Sequence, residues 1–308
     1  QPEINPDTYK LKITGMVTKP AEISLADLKK MRSTEMIIGY ECSGNRPAGF
    51  QGLSSCGRFT GVPLRNVLNE VGVGPKAREV VFFGTDRGDQ EVVFRQQTFK
   101  LSQQFGRSMT LENAMKPEPL VAYSLNGDPL TREQGFPVRL IVPGWYGVAN
   151  VKWLAEIHLQ EDRFVGNFQA RWYRNLKGEG EGTDASKLQW VETEVTRQQL
   201  KSVIARVTKK GGAHEVLGFV LNDGTPLRSV EVQVDGGIWQ PAKLDPANTK
   251  YSWKLFTYKW EGATPGEHTL VSRVTDANGK VQPAATQLVN KKTFLQDNAQ
   301  FPRKVMVG

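Results

Sequence analysis

The sequence predicts a two-domain chain of the α+β class in which strands outnumber helices. Apolar residues at helical spacing occupy only two short segments, around Leu25–Leu28 and Leu64–Val71. Alternation of apolar and polar residues, the period of a half-buried strand, recurs along the whole chain. From about Val203 onward the pattern consists of short alternating segments separated by Gly, Pro, Asn and Asp. A chain of 308 residues is long enough for two domains with separate cores.

The first helices and strands can be placed from local signals. Tyr9–Thr14 alternates and predicts a strand. Ser24 is a good N-cap for a short helix that carries Leu25–Leu28. Pro63 in the first turn and Gly72 at the end bound a second, longer helix.

Three further strands are predicted before residue 143. Val80–Phe83 and Glu91–Phe94 are apolar, and the polar segment Thr85–Asp89 between them predicts a turn. Val138–Val142 is another apolar strand, and Pro143-Gly144 ends it.

The last third of the chain has the pattern of an antiparallel β-domain. Val230–Val234, Tyr251–Trp260 and His268–Val274 alternate, and turn residues follow each of them at regular intervals. This arrangement is typical of a β-sandwich of immunoglobulin type, although the paired cysteines of antibody domains are absent. We therefore expect a first domain over residues 1–198 and an immunoglobulin-like β-sandwich over residues 199–308.

Composition and charge restrict the class of partner. Hydrophobic content of 39% and charged content of 23% fit a soluble globular protein, and no apolar run approaches the ~20 residues of a membrane span. The net charge is +8, and residues 201–308 alone carry 15 Lys and Arg against nine Asp and Glu. The basic residues are scattered and form no nucleic-acid-binding motif, so small anions or an acidic protein are the expected partners. The chain begins at Gln1 without Met, which leaves a cleaved export signal and a shortened chain both open.

Cys42 is the most informative residue. It follows the apolar stretch Met36–Ile38, so it lies where a strand ends, and such positions often carry a metal ligand or a nucleophile. Gly44 permits close approach of the backbone, and Asn45 and Arg46 offer hydrogen-bond donors to an anionic ligand.

Spacing alone leaves other roles open for the two cysteines. Cys42 and Cys56 are 14 positions apart, which suits a structural disulfide in an exported protein or two inert buried thiols in any other. His158, His214 and His268 are too scattered to predict a zinc site or a Ser-His-Asp arrangement.

The residues around Cys42 resemble the cysteine motif of the sulfite oxidase family of molybdenum enzymes. In that family a Cys-Ala/Ser-Gly-Asn-Arg run supplies the thiolate ligand to molybdenum. The similarity continues in order along nearly the whole chain, through Gly52–Leu64, Ala122–Leu130, Gly135–Arg139, Val151–Leu154 and Val234–Trp239. Several separate motifs in register are far more specific than any one of them.

The resemblance implies a molybdenum–molybdopterin cofactor and assigns residues to it. Cys42 is implied as the metal ligand, with Asn45 and Gln134 among the cofactor-binding residues. Arg139 and Lys152 fall on positions that hold the phosphate end of the pterin. A buried dianionic phosphate needs cationic donors close by, so these residue types suit that role.

Two more residues are implied to act on the substrate. Tyr173 matches the active-site tyrosine of the family, and Arg46 is expected near the substrate or the pterin. Arg303 is a candidate for the substrate arginine near the C-terminus.

The chain departs from the family pattern at three places. Pro47 stands where a second arginine is usual, and Gln134 replaces a histidine. The family's Arg-Asn-His segment, which precedes a stretch like Pro2–Ile4, does not occur in this sequence.

The resemblance implies oxygen-atom transfer, with sulfite oxidised to sulfate as the first expectation. The substrate would be a small oxyanion. No Cys-x-x-Cys-His haem motif is present, so the electrons would pass to a separate carrier, a cytochrome c. We also expect a periplasmic location, no membrane span, no nucleic-acid partner, and a homodimer formed through the sandwich domain.

Two alternatives remain open from the sequence. In one, the same cofactor acts on sulfane sulfur or reduces an S-oxide or N-oxide. In the other, the chain is a non-enzymatic exported binding protein in which Cys42 and Cys56 form a disulfide.

Overall fold

The computed structural model describes residues 1–46, 52–179 and 184–308. Their contacts divide the chain into two compact units, each formed from several segments. The first unit contains Gln1–Met36, Gly57–Pro143 and Val148–Arg174, and the second contains Ile37–Cys56, Gly144–Gly147 and Asn175–Gly308. The segment that carries Cys42 therefore packs with the second unit. The domain boundary that we expected after residue 198 stays a prediction.

The helices are few and short, and strands dominate the described chain. The strands up to residue 160 are β1 (Lys10–Gly15), β2 (Ala21–Ser24), β3 (Thr34–Glu41), β4 (Ser54–Pro63), β5 (Glu79–Phe94), β6 (Gln97–Thr110), β7 (Leu120–Leu125), β8 (Asp128–Pro129), β9 (Arg139–Ile141) and β10 (Leu154–Gln160). The α-helices are α1 (Leu25–Lys30), α2 (Leu64–Val71), α3 (Leu111–Ala114) and α4 (Asn167–Ala170). The later strands are β11 (Arg174–Glu179), β12 (Gln189–Glu194), β13 (Lys201–Lys210), β14 (Ala213–Leu221), β15 (Leu227–Val234), β16 (Gln240–Pro241), β17 (Lys243–Leu244), β18 (Lys254–Trp260), β19 (Gly266–Asp276) and β20 (Arg303–Val307). Single 3₁₀ segments lie at Gly147–Ala149, Ala185–Lys187 and Ala285–Asn290.

The first unit is organised around a sheet with strand order β2-β1-β10-β5-β6. β1 runs parallel to β10, and the other neighbours are antiparallel. Alternate residues of β1, Leu11 and Ile13, are fully buried, as their spacing predicts. A second sheet pairs β4 with β7, and both β8 and β9 with β7. The pairing of β9 with β7 buries Arg139, the first residue of β9, within this unit.

Both predicted helices are confirmed. The hydroxyl of Ser24 accepts a hydrogen bond from the Asp27 backbone N–H at 3.0 Å, so Ser24 is the N-cap of α1. Pro63 directly precedes α2, and Gly72 ends it with φ of 70°. The apolar face of α2 is buried because Leu64, Val67, Leu68 and Val71 recur at helical spacing.

The predicted turn at Thr85–Asp89 is wrong. β5 continues through these residues as one strand, and β6 pairs with it along its length apart from an irregularity between Phe83 and Arg87. The reversal occurs instead at Arg95-Gln96, where both residues have positive φ, 47° and 67°. The polar residues of this segment belong to a solvent-exposed two-stranded ribbon, so their polarity reflects exposure and not a turn.

The second unit contains two four-stranded antiparallel sheets that share one core. Their orders are β13-β14-β18-β17 and β16-β15-β19-β20. Residues of both sheets form a single buried cluster, which includes Ile204 and Phe256 from one sheet and Val232, Leu270 and Val274 from the other. The alternation in β15, β18 and β19 is thus confirmed as strand pairing. The assignment to the immunoglobulin type stays a prediction.

A separate two-stranded pairing joins β11 and β12 in the second unit. In the part of the chain that the structure describes, no helix combines the length and the apolar character needed to cross a bilayer.

Candidate active site

Cys42 lies on a turn directly after β3. The Cys42 backbone N–H donates to the Leu53 carbonyl at 2.9 Å, and its carbonyl accepts from the Asn45 N–H at 2.9 Å. The Ser43 carbonyl accepts from the Gln296 N–H at 2.7 Å. Three main-chain hydrogen bonds therefore hold the turn, while the Cys42 side chain is exposed and free. The structure presents an accessible thiol on a well-supported backbone.

A buried ion pair supports this turn. Lys201 Nζ lies 3.1 Å from Glu41 Oε2, and the side chains are 5% and 1% exposed. Lys201 also donates to the Asn45 carbonyl at 2.9 Å. Burial raises the pKa of Glu41, whereas the Lys201 ammonium and the Asn45 amide oppose that rise. The Lys201 ammonium thus links the carboxylate of Glu41, which precedes Cys42, to the backbone of Asn45, which follows it.

Asn45 completes the support. Its Nδ2 donates to Glu41 Oε2 at 2.9 Å, and its Oδ1 accepts from the Leu53 N–H at 3.0 Å. Both ends of the Asn45 amide are therefore used inside the protein, and the side chain is buried. These hydrogen bonds make Asn45 a support of the turn that carries the thiol, and its predicted role in binding the cofactor stays a prediction.

Arg46 lies beside the same turn and is half-buried. Its guanidinium carbon is 4.9 Å from the centre of the Phe294 ring, a cation–π distance. Arg46, Asn45, Lys201 and Arg303 all line a cavity of about 250 Å³ in the second unit. Arg303 donates to the Ile204 carbonyl at 3.0 Å. The two arginines predicted to face substrate therefore line one cavity, and Lys201 lines it with them.

In the first unit, the structure brings together Gln134, Arg139 and Lys152. The buried Arg139 donates to the Gln134 carbonyl at 2.9 Å and to the Asn150 carbonyl at 3.1 Å. Gly135 has φ of 103°, and a Cβ added there would lie 2.8 Å from the Lys152 Cβ. A residue without a side chain is therefore required for Lys152 to pack against this loop.

Lys152 is the more accessible cation of this group. Its Nζ donates to the Glu133 carbonyl at 2.8 Å and lies 4.9 Å from the centre of the Trp153 ring. An ammonium at this position supplies a positive charge and N–H donors, the chemistry that a phosphate group requires. The clustering of Gln134, Arg139 and Lys152 agrees with the pattern expected of a phosphate-binding loop, whereas their role in binding a cofactor stays a prediction.

Tyr173 lies in the turn between α4 and β11 and is half-buried. A half-buried phenol can reach a ligand on one side and the protein on the other. Pro47, the departure from the family motif, lies outside the described residues.

The two cysteines are not joined. Both thiols are free and both residues are exposed, which contradicts the interpretations as a structural disulfide and as inert buried thiols. Nowhere among the described residues do three or more His, Cys, Asp and Glu side chains gather as metal donors. A metal bound at Cys42 would therefore take a single protein thiolate and bring its other donor atoms with it.

Sequence reasoning missed Glu41 and Lys201. Glu41 precedes Cys42 in the motif, and an acidic residue at the end of an apolar strand is a signal that could have identified it. Lys201 lies next to Leu200 at the start of an alternating strand. A lysine in an apolar environment generally has a buried partner, but the sequence does not reveal which residue that partner is.

Comparisons with known proteins show the family to which the chain belongs. Residues 1–168 match the family described as "Oxidoreductase molybdopterin binding domain". Because this match covers more than half of the chain, the chain belongs to that family of oxidoreductases. Together with its sulfite oxidase relatives, this match places the chain in the sulfite oxidase family of molybdopterin oxidoreductases.

Several curated relatives share the same range of the chain. Mitochondrial sulfite oxidase of Homo sapiens is 29% identical over 92% of this chain and 54% of that protein. Sulfite oxidase of Arabidopsis thaliana is 25% identical over 92% of this chain and 78% of that protein. The chain thus spans about half the length of the first of these relatives.

A solved structure has a similar fold over almost the whole chain. The sulfane dehydrogenase SoxCD of Paracoccus pantotrophus superposes with a TM-score of 0.81 at 25% identity. The match covers 99% of this chain and 77% of that one.

These relationships imply a molybdenum–molybdopterin cofactor, and the residues present fit it. A thiolate is a soft donor of the kind that binds heavy transition metals, and Cys42 is the exposed thiol on a supported turn. The cationic loop of Arg139 and Lys152 has the chemistry that a phosphate group requires.

Proposed function

We propose that this protein oxidises sulfite to sulfate by oxygen-atom transfer at molybdenum. The observation that carries the proposal is the free, exposed thiol of Cys42 on a turn held by three main-chain hydrogen bonds. In an oxidoreductase of the molybdopterin-binding family, such a thiol has the chemistry of a metal ligand. When bound, the cofactor would supply one oxygen atom to the sulfur compound and accept two electrons from it, and water would later replace that oxygen.

The residues of the chain have separate tasks in this proposal. Cys42 would hold the metal, and Asn45 would keep the turn in place from beneath. Gln134, Arg139 and Lys152 would bind the pterin and its phosphate. These tasks are supported by the exposure of the thiol, by the two side-chain hydrogen bonds of Asn45 and by the grouping of the two cations.

Arg46 and Tyr173 would act on the substrate side. The cationic Arg46 would attract a small oxyanion, since a guanidinium pairs strongly with oxyanions of sulfur or phosphorus. The Tyr173 hydroxyl can donate and accept a hydrogen bond, so it would orient the substrate and move a proton. Sulfite suits both roles because it is small and anionic and has a sulfur lone pair.

A second candidate is oxidation of sulfane sulfur. The similarity to the sulfane dehydrogenase SoxCD, which extends over 99% of this chain, favours it. The cofactor and the ligand Cys42 would be the same, and only the group presented to the metal would differ. Reduction of an S-oxide or N-oxide is the third reaction that this cofactor could catalyse.

Steady-state assays with an artificial electron acceptor separate these reactions. Rapid turnover with sulfite supports the first proposal, and turnover only with a protein-bound or low-molecular-weight sulfane supports the second. Activity with neither substrate, in a preparation that holds stoichiometric molybdenum, would contradict both. Cys42→Ser is the matched inactive control, and Cys56→Ser tests whether the other exposed thiol takes part.

The electrons would leave to a separate cytochrome c, and the protein would act in the periplasm as a homodimer. The excess of 15 basic over nine acidic residues in residues 201–308 supports an acidic redox partner, because complementary charge speeds association. A strong decrease of the reduction rate of cytochrome c with rising salt would test this partner.

A further inference from the structure

A second cationic cavity lies in the second unit, and the proposed reaction gives its lysines no role. It has a volume of about 350 Å³, and Lys177, Lys280 and Lys291 line it. None of the described residues that line it is an Asp or a Glu. Its volume corresponds to roughly a dozen water molecules, enough for a small hydrated anion.

Two of the lysines are held opposite each other by the backbone. Lys177 and Lys291 form an antiparallel β-bridge. Side chains that face each other across such a bridge point to the same side, with Cβ atoms about 5 Å apart, and like charges at these positions repel. The chain therefore places two ammonium groups side by side on one wall of the cavity.

No described carboxylate forms a salt bridge with these lysines. Among the described side chains, none of the three lysines has a carboxylate within salt-bridge distance, and Lys280 and Lys291 donate to neutral oxygens instead. Lys280 Nζ lies 3.1 Å from Gln199 Oε1, and Lys291 Nζ lies 2.7 Å from the Leu295 carbonyl.

Burial lowers the pKa of Lys177, with Lys280 as a further cause. It also lowers the pKa of Lys291 to about 8, where Lys201 and Lys177 add to the effect and Asp297 opposes it. The cavity therefore carries an excess of positive charge, which an anionic ligand would neutralise.

Amide side chains complete the lining of the cavity. The amide oxygens of Gln199, Gln287 and Gln296 accept hydrogen bonds from Lys280, the Ala284 N–H and Asn175. The remaining polar group of each amide is its NH₂, which only donates. Three ammonium groups and amide N–H donors around one cavity are the chemistry that recognises an oxyanion.

We propose that this three-lysine cavity binds a divalent oxyanion of the sulfate type. The cavity adjoins the turn that carries Cys42, because Gln296 lines it and donates its backbone N–H to the Ser43 carbonyl. A sulfur oxyanion held there would lie next to the cysteine turn. That consequence rests on the proposed function, whereas the binding itself does not.

Titration calorimetry with sodium sulfate tests the proposal. The protein is titrated at pH 7 and constant ionic strength, with sodium chloride as the monovalent control, since screening alone would act on both salts. We expect a sulfate site whose affinity depends on the lysines of this cavity. Lys291→Met and Lys177→Met should each weaken it by roughly tenfold or more, as expected for loss of a charged hydrogen bond.

Two control variants make the test specific. Lys209→Met removes an exposed lysine of β13 and should leave sulfate affinity unchanged, whereas Lys291→Arg keeps the charge and should retain most of it. Circular dichroism and thermal unfolding identify variants that fail to fold. Sulfate binding no tighter than chloride binding, or undiminished binding in folded Lys177→Met and Lys291→Met proteins, would overturn the proposal. This test does not depend on turnover. The sulfate-binding proposal can therefore be wrong while the proposed reaction is right.

Discussion

The Nζ atom of Lys201 lies 3.1 Å from the Oε2 atom of Glu41, and both side chains are buried beneath the turn that carries Cys42. The same ammonium donates to the Asn45 carbonyl, so the pair joins the beginning and the end of the turn. A buried ion pair generally adds little net stability over an apolar pair, but removal of one partner leaves a costly unpaired charge. We infer that the pair fixes the position of the thiol.

Lys201→Met should lower the free energy of unfolding by roughly 3–5 kcal/mol, because Glu41 then stays buried without its cation. The double variant Glu41→Met/Lys201→Met should recover much of this loss, since it leaves no buried charge. Urea unfolding of the wild type, both single variants and the double variant measures the coupling. If the loss in the free energy of unfolding of the double variant equals the sum of the two single-variant losses, Glu41 and Lys201 do not stabilise each other.

Cys42→Ser should abolish turnover without loss of fold, because a hydroxyl is a far poorer ligand than a thiolate for this metal. Cys56→Ser, which alters the other exposed thiol, should keep turnover within about twofold of the wild type, the usual scatter of a neutral surface change. Both variants are compared by steady-state assay and by circular dichroism. Retained turnover in Cys42→Ser would refute the ligand assignment.

Lys152→Met should weaken retention of the pterin by roughly ten- to a hundredfold, the cost of one lost charged hydrogen bond. Arg132→Met is the matched control, since Arg132 is a partly exposed cation of the same loop that pairs with Glu3 at 2.9 Å. Pterin fluorescence after oxidative release, measured per folded chain, gives the result. Equal pterin content in both variants would contradict a phosphate-binding role for Lys152.

The lowered pKa of Lys291, about 8, predicts a specific pH dependence. Below pH 8 the group is protonated in the folded and the unfolded protein, so the folded state bears the full unfavourable effect of the buried charge. Between pH 8 and the ordinary lysine value of 10.5 the unfolded chain binds more protons, and the stability of the folded state rises with pH.

The wild type should therefore gain stability relative to Lys291→Met as the pH rises from 8 to 10. Urea unfolding at several pH values measures this difference, and titrations common to both proteins cancel in it. A difference that stays constant or falls over this range would contradict the lowered pKa. If sulfate binds the three-lysine cavity, added sulfate should reduce the gain, because a bound anion favours the charged lysine.

Local signals in the sequence predicted much of the fold. Ser24 and Gly72 bound their helices as capping chemistry requires, and the alternation of Val230, Val232 and Val234 corresponds to a strand of the shared core. These features depend on neighbouring residues, so periodicity suffices to find them. The ribbon of β5 and β6 was not found, because its polar residues are exposed in strands and look like a turn in sequence.

The site was predicted only in part, for a related reason. The motif around Cys42 identified the thiol, Asn45 and Arg46, because they are adjacent in sequence. The Glu41–Lys201 pair was not identified, since its members are 160 positions apart and charged residues are usually exposed. The three-lysine cavity was missed as well, because Lys177 and Lys291 meet only through a bridge between distant segments.

The central claim is that the Cys42 sulfur is bonded to molybdenum. X-ray absorption at the molybdenum edge tests it on the loaded wild type, on Cys42→Ser and on Cys56→Ser. We predict that Cys42→Ser loses one sulfur neighbour of the metal and that Cys56→Ser is identical to the wild type. An unchanged number of sulfur neighbours in metal-loaded Cys42→Ser would contradict the account.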